Sequence, residues 1–176
     1  MLRQGTTLIL LWLSGAALRL TILVLSPLLP QIHRDLSLNE TAIGTLGSLP
    51  SLLFACAAIP GALLIARLGA RQTLVAGLVV AALGSALRGA ASDIGTLYLT
   101  TVVMAAGIAV MQPALPPLVR EWMPNRIGFG TAVYSNGMVM SGILGVGLSL
   151  PVMHAFARGS WRFSLVLWAL PVVVTA

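Results

Sequence analysis

Lysine is missing from this 176-residue sequence, and acidic residues nearly so: ten arginines stand against four Asp or Glu and two His. Charged residues make up 8% of the chain, against about 25% in soluble domains. That scarcity excludes a water-soluble fold, because a core of this size could not hide a 58% hydrophobic content. The arginines are scattered near the ends of apolar runs and form no patch or basic helix face, which excludes a nucleic-acid partner. One cysteine, Cys56, cannot form an intrachain disulfide and says little about redox compartment. Set in an apolar run, it reads as a small buried residue. Cys/His metal spacing, HExxH, GxSxG and a phosphate loop are all lacking. Their absence leaves no sign of an enzyme, a metal or a cofactor. His33 and His154 fall at the edges of apolar runs and read as ordinary interface residues.

What the chain has in quantity is apolar length, with a mean hydropathy of +0.99. Six runs cover 6–29, 42–66, 72–91, 96–119, 128–153 and 161–176. Crossing a bilayer takes about 20 residues. Lipid tolerates no unpaired backbone, and these runs are far too long for barrel strands, so all six are expected to be helices. The start of the chain has the look of a signal peptide, but its apolar run continues past Arg19 to Leu29, longer than the usual core, and reads as a retained span. Placing the N-terminus inside puts Arg3, Arg67, Arg71, Arg120 and Arg126 on the inner side and Arg34, Arg158 and Arg162 on the outer side. That modest excess follows the positive-inside rule and implies a multi-pass protein of the inner membrane with a cytoplasmic N-terminus. The sixth run ends at Ala176 without a polar flank, as expected of a chain cut within a helix.

Arg19 lies near the middle of the first run, and no acid lies inside any run. A cation at that depth costs at least about 2.5–3.5 kcal/mol. It is tolerated only against protein, water or an anion. Arginine stays charged and presents a planar fork of donors, so Arg19 is a candidate ligand for an anionic or dipolar solute. The alternative is a structural arginine bonded to carbonyls or to a carboxylate elsewhere. Gln112, beside Met111 and Pro113 in the fourth run, suits either a solute or a neighbouring helix. Tyr134 and Asn136 in the fifth run either line a cavity or bond between helices. Arg88 is expected to snorkel outward or reach Asp93. Trp12 and Trp168 read as packing or interfacial aromatics. Small residues recur every fourth position at Gly77, Ala81, Ser85 and Gly89, and again at Gly137, Ser141, Gly145 and Ser149. Such faces serve close helix packing, or, in the fifth run, a surface that slides during transport. Prolines in or near the spans are expected to bend helices around a cavity.

The segment from Gly61 through Arg67 and Gly69 to Arg71 resembles the cytoplasmic loop motif of the major facilitator superfamily. Ala66 stands where that motif has an acid, which breaks the charge lock the family uses at its inner gate. The stretches 18–31, 84–88, 111–116 and 168–171 resemble the cyanate and nitroimidazole transporter branch. Nearly the whole chain is covered by the resemblance. It implies an all-α membrane protein, residues 1–176 being one bundle. This would be the six-helix N-terminal half of a twelve-helix fold, with the sixth helix truncated and the C-terminal half missing. In that fold the first and fourth spans line the cavity, which favours Arg19 and Gln112, and Gly61, Arg67, Gly69 and Arg71 would serve gating.

The implied function is secondary transport of a small anionic or strongly polar solute, a cyanate-like anion or a nitroimidazole-like heterocycle, by alternating access. The expected partners are that solute, the lipid bilayer and the missing half. Drug efflux is the alternative transporter reading, weakened because the exporters' Gly-Pro pattern is not matched around Gly137–Pro151. A reading of another class is a truncated half that does not transport and assembles with a partner.

Overall fold

The computed structural model describes residues 4–157 and 159–176, with the backbone alone at Ala58. Arg3 and Arg158, counted above in the charge bias, lie outside the described residues. The described chain forms eight α-helices and two short 3-10 segments, with no strand among the described residues. They are α1 (Gln4–Leu23), α2 (Leu25–Leu36), α3 (Glu40–Leu68), α4 (Ala70–Arg88), α5 (Ile94–Met111), α6 (Leu115–Trp122), α7 (Ile127–Ala155) and α8 (Trp161–Thr175).

Among the described residues, four helical stretches are long and apolar enough to cross a membrane, five if the two arms of α3 count as one span, against the six runs expected; the sixth run forms only the shorter α8. Helices α1 and α2 share the first pass (Gln4–Leu36), and α5 and α6 share the fourth (Ile94–Trp122). Helix α8, at 15 residues, extends about 22 Å, short of the roughly 30 Å hydrocarbon core.

Proline explains where the passes break. Pro27 has no N–H for the Leu23 carbonyl, and α1 gives way to α2 at Val24. In α3, Glu40–Ala57 and Ile59–Leu68 meet at 54°, where Pro60 deprives the Cys56 carbonyl of its donor. In the fourth pass, Pro113, Pro116 and Pro117 leave the carbonyls of Ala109, Gln112 and Pro113 without an i+4 donor. The chain tightens there into a 3-10 turn over Gln112–Ala114.

Helix ends are closed by local bonds. Asn39 Oδ1 accepts from the Ala42 N–H at 2.8 Å, and Asp93 Oδ1 from the Thr96 N–H at 2.9 Å. Gly69 alone links α3 to α4, at φ +83°, a conformation glycine adopts without strain. At the opposite end, Asp35 Oδ2 accepts from Trp161 Nε1 at 2.8 Å and pairs with Arg162 Nη1 at 3.2 Å. The Arg162 guanidinium also lies 4.3 Å over the Trp161 ring. These bonds tie α2 to the start of α8.

Small residues set the two closest helix pairs. On α1 and α7, a β-carbon at Gly15 would strike the Tyr134 carbonyl, and one at Gly137 the Trp12 carbonyl. On α4 and α5, Gly77 and Gly107 face each other's carbonyls, and Gly84 meets the Met104 backbone. The α4 stripe is thus a packing face. So is the α7 stripe: Gly137, Ser141, Gly145 and Ser149 are all buried, with Gly145 against Leu20 and Val24. Of the two readings for this stripe, close packing is the one the fold presents, because α1 covers it. Cys56 also departs from expectation, being exposed on α3. Lipid tails are as apolar as leucine, so an apolar run does not foretell which of its faces is buried.

Candidate solute site

Arg19 stands fifteen residues beyond Gln4 on α1, about 22 Å along the helix axis. Leu18 and Leu20 on either side are buried, while Arg19 is exposed. Its side chain lines an open groove of about 860 Å³ between α1 and α7, with Ser135, Met138, Val139, Ile143 and Val146 opposite. It makes no ion pair or hydrogen bond among the described residues, where the single salt bridge is Arg162–Asp35. A guanidinium mid-span with no carboxylate beside it is an electrostatic cost still open to compensation.

A second cavity of about 460 Å³ adjoins this groove, and Ser135 and Met138 line both. Leu18 of α1 and Phe54 of α3 wall it, with Gln112 and Pro113 at the break in the fourth pass and Tyr134 on α7. The break has a consequence for Gln112: it ends α5, and its carbonyl takes the Leu115 N–H. Its side chain is left exposed toward the cavity. Neither the Gln112 amide nor the Tyr134 hydroxyl has a partner among the protein hydrogen bonds of the described residues. The two cavities therefore gather one fixed cation, one amide and one phenol within mostly apolar walls, a composition usual for small-molecule sites.

Asn136 is not part of this group. Its Oδ1 accepts from Trp12 Nε1 at 3.0 Å, the interhelical bond that was the alternative for it, and it lines neither cavity. The loop residues lie elsewhere again. Gly61 is buried inside α3, where a β-carbon would come within 2.9 Å of Pro113 Cγ. Arg67 and Arg71 flank Gly69 at the α3–α4 link and are exposed.

Sequence reasoning missed Ser135, which borders both cavities. It also misplaced Arg88. This side chain is 0% exposed, so it neither snorkels nor reaches Asp93. Asp93 is engaged by Thr96 and Ser92. At Gly84 and Gly89, α5 and α8 pack close on either side of Arg88, against snorkelling along α4.

Comparison with known proteins follows this geometry. The sequence profile described as Major Facilitator Superfamily matches residues 11–176. The chain is 30% identical over 151 residues to "Uncharacterized transporter YycB" of Bacillus subtilis (strain 168), covering 86% of this chain and 37% of that one. It is 31% identical over 153 residues to the "2-nitroimidazole transporter" of Escherichia coli (strain K12), covering 87% and 38%. It is 24% identical over 168 residues to the "Cyanate transport protein CynX" of the same organism, covering 95% and 43%. The chain thus spans about two fifths of the length of these relatives.

Proposed function

This chain belongs to the major facilitator superfamily, in the branch of its cyanate and nitroimidazole relatives, and from that premise we propose that it serves secondary active transport of a small anionic or strongly polar solute. The solute would bind at Arg19, with Gln112 and Tyr134 completing the site, and two halves would rock about it. The carrying observation is Arg19 itself: exposed, mid-span, without a carboxylate among the described residues, and facing a groove that opens into the Gln112 cavity.

The groove is walled mainly by Met138, Val139, Ile143 and Val146. Apolar walls favour a flat heterocycle carrying one electronegative group over a bare inorganic ion, which would have to shed its hydration against them. Within this reading the chain supplies the N-terminal six-helix half, starts in the cytoplasm and sits in the inner membrane. Arg67, Gly69 and Arg71 at the α3–α4 link, with Gly61 behind them, would take part in inner gating.

The test is uptake of labelled 2-nitroimidazole and cyanate by vesicles carrying the full natural polypeptide. Arg19→Gln should abolish uptake at unchanged membrane abundance. Arg19→Lys should fail too, because an ammonium does not reproduce the planar fork. Undiminished uptake by Arg19→Gln would remove Arg19 from the site.

A further inference from the structure

Arg88 sits on α4 with its guanidinium wholly enclosed. Nη1 donates to the Thr21 carbonyl at 2.9 Å and approaches Met104 Sδ at 2.9 Å. A carbonyl and a thioether are neutral acceptors, and the thioether is a weak one. Nε and Nη2 have no partner, and the buried Thr21 hydroxyl has none either. Of the five N–H donors a guanidinium carries, the three on the Nε–Nη2 edge are unused. That edge is the two-pronged side that grips a pair of coplanar oxygens.

Arg88 lines a cavity of about 130 Å³ with Ser26, Gly47, Pro50, Thr101 and Met104. No Asp, Glu or His borders it. Ser26 and Gly47 are themselves exposed and mark its mouth. A cavity of about 150 Å³ can hold a benzene ring, so this space admits roughly four to six heavy atoms. Leu23 lies between this cavity and the Arg19 groove and lines both.

The geometry points to a second anion site at Arg88, one that takes a small planar oxyanion such as formate or nitrate, held by the Nε–Nη2 edge. It is separate from the Arg19 reading and does not depend on it. An anion of that size supplies the counter-charge that the protein withholds, and its two oxygens match the two unused prongs. A carboxylate the size of gluconate, with thirteen heavy atoms, does not fit the volume.

The test is thermal unfolding of the full natural polypeptide in detergent, titrated with sodium formate and with sodium gluconate at equal concentration. Both are carboxylates, and gluconate is too large for the cavity. Formate is expected to raise the midpoint saturably, while gluconate leaves it unchanged. Arg19→Gln should keep the formate response, and Arg88→Gln should lose it. Ser26→Leu should lose it as well, by placing a larger side chain at the exposed residue that lines the mouth. That second variant decides the matter if Arg88→Gln does not fold. Equal responses to the two salts, or a formate response that survives Ser26→Leu, would overturn the assignment. A response lost in Arg19→Gln alone would overturn it too, and would count instead for the groove.

Discussion

Gly107→Ala is a sharp test of the packing argument, because the same substitution elsewhere should have the opposite sign. A β-carbon at Gly107 would lie 2.5 Å from Ala81 N, 2.7 Å from Gly77 O and 3.0 Å from Ala81 Cα. All three are backbone atoms, so no side chain can rotate away. Ordinary contact begins near 3.4 Å, and α4 and α5 must separate by about 0.7 Å to restore it at the oxygen. Overpacking of this kind costs about 1–3 kcal/mol. Alanine returns at most about 1 kcal/mol through helix propensity. At Gly47, an added β-carbon meets nothing within 4 Å, so Gly47→Ala feels propensity alone. The difference between the two variants therefore isolates the overpacking. At about 2–4 °C per kcal/mol, Gly107→Ala should unfold about 2–12 °C below Gly47→Ala in the same detergent, followed by tryptophan fluorescence. A Gly107→Ala midpoint equal to or above that of Gly47→Ala would refute the claim that backbone contact sets the α4–α5 distance.

Gln112→Ala should weaken solute binding by about 0.5–1.5 kcal/mol, the net worth of one hydrogen bond, read as a raised Kd in a ligand titration; an unchanged Kd would take Gln112 out of contact. Asn136→Ala is its counterpart: losing the Trp12 bond should lower the unfolding midpoint and leave Kd alone. The Asp93 carboxyl is held below its usual range, first by the Thr96 hydroxyl and then by the Thr96 N–H. Its cap is therefore present above the ordinary aspartate value and is lost as pH falls through the depressed one. Amide exchange at the start of α5 should accelerate on acidification over that window, and Asp93→Asn, which keeps an acceptor, should flatten the dependence.

The long apolar helices were legible because transfer into lipid is summed over about 20 residues, and local errors average out; the sixth run, which forms the short α8, was not. Arg19 stood out for a related reason: one charge in an apolar run is costly against lipid. The pairing of Tyr134 with Asn136 failed on information already in the spacing. Residues two apart on a helix point about 200° from each other, so they do not share a face. Arg88 failed differently. Its distance from the end of the span fits snorkelling, and only the approach of α5 and α8 at Gly84 and Gly89 stands against it. Nothing local to α4 reveals which neighbours arrive. The same limit hid Ser135, whose role comes from two cavities meeting at one residue.

The contact of Gly15 with Tyr134 and of Gly137 with Trp12 lies one turn from the cation on α1 and next to Ser135 on α7. Both banks of the groove are thus riveted together just below the place where cargo would rest. Such a channel bed does not widen to suit a bulkier guest. Its breadth is a caliper setting, and under the proposed transport any opening or closing would have to turn about this pair rather than within it.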